Sequence, residues 1–196
     1  MLAADYRVST CFTDARGIYV NLYVPGRIDW RQDGAAARLS MATEYPYGSA
    51  VTLNLELTQP RTFALRLRIP AWAEGADVSV NGKRVAAPIV PGSFAGMTRE
   101  WRSGDRIELD LPLRRRLQAI DAEHPGTVAL SAGPLVLMRI LEEENAATRA
   151  LPRAALLSAA RVHDREWSVS HDSRTWRLRA FADIGAQRYS AYQDIV

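Results

Sequence analysis

The sequence predicts an all-β fold, an antiparallel β-sandwich of jelly-roll type, with at most one short helix near residues 152–159. Three observations carry this. Apolar and polar residues alternate with a period of two in several separate segments, most clearly Val51-Thr-Leu-Asn-Leu-Glu-Leu57, Phe63-Ala-Leu-Arg-Leu-Arg-Ile69 and Arg106-Ile-Glu-Leu-Asp-Leu111. Turn residues punctuate those segments at short intervals, and helical periods are few. Asn81-Gly82 lies between Asp77-Val-Ser-Val80 and Lys83-Arg-Val85; both central residues of a type I′ hairpin turn need positive φ, which Asn and Gly tolerate best.

Taken in order, Ile18 to Val24 reads as a strand stopped by Pro25-Gly26. Ala37 to Thr43 alternates before the turn Tyr45-Pro-Tyr-Gly48, and Val51 to Leu57 then places Val51, Leu53, Leu55 and Leu57 on one buried face. Thr58-Gln-Pro-Arg61 reads as a short hairpin-type connection to Phe63–Ile69. After the Asn-Gly hairpin, Gly92-Ser-Phe94 opens a further strand, and Trp101-Arg-Ser-Gly-Asp105 is a turn into Arg106–Leu111 in which Asp105 is expected to bond the backbone. Thr127–Leu130 and Leu135–Met138 flank Gly133-Pro134. Beyond Ile140 the composition changes: Glu142-Glu-Glu144 is a charge cluster expected to be solvated, Ala146–Ala160 is rich in alanine and leucine around Pro152, and β character returns from Glu166. The organisation expected is a leader or remnant over 1–16, a β-sandwich domain over 17–140, and an extension over 141–196 that returns as strands onto the sandwich.

The 196 residues suffice for one large domain or two small ones, and 47% apolar with 24% charged residues is ordinary globular usage. The net charge is +3, and the only dense basic run is Arg114-Arg-Arg116 at the end of an alternating segment. A nucleic-acid surface needs a basic stripe with interleaved aromatics, so no nucleic-acid partner is expected. Cys11 is the only cysteine, which excludes an internal disulfide and a cysteine-rich zinc site within the chain. No signal-type segment and no run near the ~20 apolar residues of a membrane span occurs, so no membrane partner is expected and the default location is cytoplasmic.

Chemistry-bearing patterns are sparse. Glycoside hydrolysis usually needs two carboxylates flanking a sugar, and none of the 22 acidic residues stands out by spacing. His124, His163 and His171 lie far apart near turns; His163-Asp164 and His171-Asp172 look superficially like orienting pairs, without a helical His pair or a nucleophile elbow. No phosphate-binding glycine loop is present. The aromatics are the better candidates. Trp30, Tyr45, Tyr47, Trp72, Trp101, Trp167 and Trp176 fall near strand ends and turns, where flat rings either stack on sugars or cap the core. Tyr45, Tyr47 and Trp72 are the candidate carbohydrate-binding residues.

Gly17-Ile-Tyr-Val-Asn-Leu-Tyr23, Thr43-Glu-Tyr-Pro-Tyr47, Leu67-Arg-Ile-Pro-Ala-Trp72, Val80-Asn-Gly82, Arg99-Glu-Trp101 with Gly104-Asp105, and Val128-Ala-Leu130 with Gly133-Pro-Leu135 occur in an order that resembles the C-terminal, post-catalytic part of the β-L-arabinofuranosidase-like glycosidases. Asp183-Ile184 to Tyr189-Ser-Ala-Tyr192 resembles the closing strand of that family. The resemblance spans roughly residues 17 to 140, with a weaker return at the end. It implies a preceding (α/α)6 barrel that carries a Cys-Cys-Pro nucleophile, a zinc site and a glutamate acid/base. Cys11 is followed by Phe12-Thr13-Asp14, so no position in this chain inherits a catalytic role, no catalytic residue is assigned, and no cofactor or metal is expected. Two functions follow as expectations: a non-catalytic accessory domain packing on a helical barrel supplied elsewhere, and a carbohydrate-binding module for plant-type or arabinose-containing glycans. Hydrolysis by the chain alone is the third.

Overall fold

The computed structural model describes residues 9–141, 150–163 and 165–196; Glu142–Glu144 and Asp164 lie outside them. The chain divides into two compact units, Met1–Pro112 and Leu113–Val196.

The first unit holds two sheets. One has four strands in the order β1 (Cys11–Asp14), β2 (Gly17–Val20), β6 (Arg61–Ile69), β9 (Ser93–Trp101). The other has six, in the order β3 (Gly26–Gln32), β4 (Ala35–Thr43), β5 (Ala50–Leu57), β10 (Arg106–Asp110), β7 (Asp77–Val80), β8 (Lys83–Arg84). Period-two alternation sends one side of each inward: Leu39 and Met41 from β4, Val51, Leu53 and Leu55 from β5, Ile107 and Leu109 from β10 meet Ile18, Val20, Phe63, Leu65, Leu67, Ile69, Ala95, Met97 and Trp101 in one core. Leu57 lies on the buried face as expected and packs against the core, partly buried where it ends its strand. Trp101 is fully buried and donates its indole N–H to the carbonyl of Phe63 at 3.0 Å.

The Asn81-Gly82 hairpin is as expected, with φ of 52° and 75° at its two central residues. Asp105 likewise accepts the Arg102 N–H at 2.9 Å. Two local expectations need correcting. Thr58–Arg61 is not a hairpin: β5 pairs with β4 and β10, whereas β6 pairs with β2 and β9, so this short link crosses from one sheet to the other. Both strands point apolar side chains at the same core, and alternation within a strand cannot reveal which sheet it joins. The strand from Ile18 stops at Val20 rather than Val24, because the Asn21 and Leu22 N–H groups both turn to the Thr10 carbonyl. Among the described strands the pairing is antiparallel, as expected, except that β2 runs parallel to β6 from Gly17↔Ala64 to Val20↔Leu67.

The second unit is one sheet in the order β11 (Arg115–Ala119), β12 (Thr127–Ala132), β13 (Leu135–Ile140), β16 (Arg174–Ala180), β15 (Glu166–His171), β14 (Ala160–His163), with β17 (Tyr189–Ser190) on β13 and β18 (Gln193–Asp194) on β12. Among the described residues the α-helix is α1 (Arg153–Leu157), which lies where one short helix was expected and buries Leu156. The arginine run is structural here: Arg115 donates to the Ala159 carbonyl at 2.8 Å and Arg116 to the Gly133 carbonyl at 2.9 Å.

Candidate functional site

Two of the three predicted aromatic residues come together at one end of the first unit. Past the end of β4, Thr43 Oγ1 donates to the Ala50 carbonyl at 2.7 Å and accepts the Tyr45 N–H at 3.0 Å. The Tyr47 and Gly48 N–H groups then both reach the Glu44 carbonyl, at 2.9 and 3.1 Å, which folds Glu44–Gly48 into a tight turn. Past the end of β6, the Ala73 N–H bonds the Pro70 carbonyl at 3.0 Å and presents Trp72. The Tyr45 and Trp72 rings stack with centroids 6.4 Å apart and planes 13° from parallel. Tyr23 meets Tyr45 edge-on at 6.0 Å and donates its hydroxyl to the Arg68 carbonyl. Tyr45 and Trp72 are half-buried and pack against the core, and Tyr47 is half-buried in the same turn. Burial raises the Tyr45 phenol pKa, opposed in part by Arg68, so the ring stays neutral at ordinary pH.

The other aromatics divide. Trp101 and Trp167 are core residues, exposed by 0% and 2%. Trp30 packs edge-on against Phe63 at 6.0 Å, and Trp176 lies beneath the Arg139 guanidinium at 5.5 Å.

Polar candidates resolve into local structure. His124 Nδ1 lies 2.8 Å from Asp121 Oδ1, the oxygen that also accepts the N–H groups of Glu123 and His124 in a turn. His171 sits 3.4 Å from Asp172, which with Ser173 forms the two-residue turn between β15 and β16. Burial pushes the Cys11 thiol up to about 11, which leaves it protonated and unreactive near neutrality. Among the described residues no group of His, Cys, Asp and Glu could hold a metal ion.

Sequence reasoning passed over two features. The first is the outer face of the four-stranded sheet, where the backbone register sets Phe12 opposite Tyr19 and Tyr19 opposite Arg66. Phe94 meets Tyr19 edge-on at 5.5 Å, and the Arg66 guanidinium lies 4.5 Å over the Tyr19 ring. Phe12 is 49% and Phe94 41% exposed. The second is a cavity of about 600 Å³ at the opposite end of β4, lined by Trp30, Arg38, Glu56, Leu57 and Ser103 among others. Both depend on which strands become neighbours, and one sequence does not carry that information.

Comparison with known proteins then gives the class that the chain resembles, the β-sandwich region of glycoside hydrolases. Residues 17–113 match the family model for the middle domain of GH127 β-L-arabinofuranosidases, in agreement with the resemblance read from the sequence. A GH127 β-L-arabinofuranosidase from Geobacillus stearothermophilus T6 superposes with a TM-score of 0.81 at 23% identity, over 100% of this chain and 36% of that one. A structure named as a glycoside hydrolase gives 0.75 at 19% identity, over 95% and 37%. A GH127 β-arabinofuranosidase gives 0.68 at 20%, over 91% and 35%. What these three share with the chain is the fold, and the chain spans little more than a third of their length. No curated protein matches it.

Proposed function

We propose that this chain is the accessory β-sandwich region of an arabinofuranosidase-like glycoside hydrolase and acts by packing on a catalytic helical barrel supplied elsewhere. The observation that carries this is the match of residues 17–113 to a middle domain, a part of a longer enzyme rather than a whole one. The two outer faces of the sandwich support it. On the six-stranded sheet Arg27, Asp29, Arg38 and Glu56 form ion pairs across β3, β4 and β5, and Arg106 pairs with Glu108 on β10. Such ladders belong in water. The four-stranded sheet instead presents Phe12, Tyr19 and Phe94, and the Arg66 Nη1 beside them is buried with no acceptor. That aromatic face is the one suited to a partner surface, with a carbonyl or carboxylate to meet Arg66.

Reading frames next to the gene supply the barrel to be tested. Mixed with such a barrel, the chain co-elutes, and Phe12→Ser with Phe94→Ser together weaken the association at least ~10-fold, the scale of two lost apolar anchors. Robust glycosidase activity from the isolated chain on an aryl arabinofuranoside overturns the proposal.

The stacked Tyr45–Trp72 pair favours a second reading, a carbohydrate-binding module in which these rings and Tyr47 retain arabinose-containing glycans. Affinity electrophoresis in arabinan tests it. Retardation that is lost in Tyr47→Ala or Trp72→Ala, with the fold intact, supports this use; unchanged mobility in every polysaccharide tried removes it.

A further inference from the structure

We propose that the open edge of β9, with the groove beside it, takes an extended acidic peptide as an added strand. β9 pairs with β6 on one side, and among the described residues it has no strand on the other. The Ala64 N–H bonds the Arg16 carbonyl on the β2 side, so the backbone groups of Phe63, Leu65 and Leu67 turn the other way, toward β9. These residues stand in register with Arg99, Met97 and Ala95. The N–H and C=O groups of Gly96 and Thr98, which alternate with them, therefore point to the open edge, the arrangement that strand addition uses. This inference is independent of the barrel proposal, which uses the outer face of the sheet and not its edge.

The groove, about 400 Å³, lies between this edge and β8, the edge strand of the six-stranded sheet. Both strands send core-side residues to it. Met97 and Val80 are 7% and 5% exposed, and Val85 packs partly buried against the same core. Lys83 stands opposite Val80 in register, so it starts on the core side of its sheet. Arg99 falls between Met97 and Trp101 in the alternation and starts on the core side of its own, with its guanidinium 5.1 Å over the Trp101 ring. Lys83, Arg84 and Arg99 line the groove, and no carboxylate does. Arg84 is taken up by Asp77, whereas among the described residues neither Lys83 nor Arg99 has a carboxylate partner. Every second side chain of an added strand enters this groove, where apolar and acidic groups find their match. A second copy of β9 would instead bring its own Arg99 beside these cations, and like charges oppose that pairing.

The test titrates the full chain into a fluorescein-labelled short peptide in which threonine alternates with glutamate and valine, read by anisotropy. The peptide is expected to bind, and Lys83→Ala with Arg99→Ala to weaken it at least ~5-fold, the scale of two exposed ion pairs. Thr98→Pro deletes an outward N–H while leaving the bonds to β6 in place, and should weaken binding at least ~5-fold as well. Two further peptides carry N-methyl groups on one or the other alternating set of amides. One is expected to lose binding and the other to keep it, because only one set faces β9. No binding by the parent chain, equal affinity for a peptide with lysine in place of glutamate, or the same affinity for both methylated peptides overturns the proposal. A dimer of the chain that Thr98→Pro dissociates in sedimentation overturns it too, since it gives the edge to a second copy. Each of these failures leaves the barrel reading standing, which the Phe12 and Phe94 variants test separately.

Discussion

At Gly17 the backbone φ is 149°, and a Cβ built there would lie 1.9 Å from the carbonyl oxygen of Ala64. The parallel pairing of β2 with β6 brings the two chains together at this point. Gly17→Ala is therefore expected to cost about 4 kcal/mol or more, the scale of a substitution that must displace backbone, and urea denaturation reads it; a loss under about 1 kcal/mol would falsify the close approach. A second residue-scale constraint joins two turns. Asn81 donates through Nδ2 to Asp105 Oδ1 at 2.8 Å and accepts the Arg106 N–H on Oδ1 at 2.9 Å, while Asp105 is 8% exposed. Asn81→Ala leaves Asp105 short of a donor and puts a Cβ-bearing residue without a polar side chain at φ 52°, so it should cost roughly 2–4 kcal/mol. Asn81→Gly relieves the backbone but not the lost bonds, so it should recover only about 1 kcal/mol of that. Equal stability of both variants with the parent in chemical denaturation rules the network out as a stabilising feature. The Asn-Gly pair was legible in the sequence as a turn. Its bond to Asp105 was not, because the two residues meet only after β7 and β10 pair.

At the scale of elements, legibility followed apolar alternation. β4, β5, β6 and β10 bury one side of a regular pattern and were readable almost to the residue. β3 was passed over: Arg27-Ile-Asp-Trp-Arg-Gln32 has only two apolar positions and ends on a buried glutamine. The β15–β16 hairpin turns on Asp172-Ser173, with φ of 46° and 60°, where Asn-Gly would have announced it. That hairpin carries its own electrostatics. Arg177 grips Glu166 through Nε and Nη2 at 3.0 and 2.8 Å, and Arg179 adds a contact at 3.3 Å. The hydrogen bonds from Arg177 chiefly, then Arg179, pull the Glu166 carboxyl below its ordinary pKa of 4.5. The unfolded chain then takes up the proton at higher pH than the folded one, so the contribution is complete above pH 4.5 and is lost as pH falls through the folded value. Thermal melts of the parent should lose more stability between pH 5 and pH 3 than those of Glu166→Gln; parallel pH profiles would show that the pair contributes nothing. A different cation invites the opposite change. Arg139 is 4% exposed, its Nη1 donates to Gln193 at 3.2 Å, and its Nε has no acceptor. Burial lowers its pKa. Arg139→Met removes the desolvation penalty while filling similar volume, and is expected to leave the second unit as stable or up to about 2 kcal/mol more so. Destabilisation by more than about 2 kcal/mol in the same melts shows instead that the guanidinium is needed there, as when one partner of a buried polar pair is removed.

For the molecule as a whole, the division into units shows how local patterns and long-range pairing differ in what they specify. The sequence places a soft boundary near Leu141, where a charge cluster follows regular strands. The compact units divide after Pro112, because β13, which ends at Ile140, pairs with β16 and β17 from beyond the compositional change. Composition marks where a chain becomes polar; pairing decides which strands share a core. The candidate site followed the same rule. Tyr45 and Trp72 were legible as exposed-type aromatics in turns, but the Trp30 cavity and the Phe12–Tyr19–Phe94 face exist only once β1, β2, β6 and β9, or β3, β4 and β5, lie side by side. Among the described residues, the main core cluster is drawn wholly from the first unit, from Ile18 to Leu111. A segment ending at Pro112 therefore carries every large side chain of that core, including Trp101 and both sheets that enclose it. Expressed alone, residues 9–112 are expected to melt in a single cooperative transition by far-UV circular dichroism, with near-UV signal from the buried Trp101 retained. A broad melt with dye binding to exposed apolar surface, the signature of lost packing, would mean that this core needs residues beyond Pro112 to close.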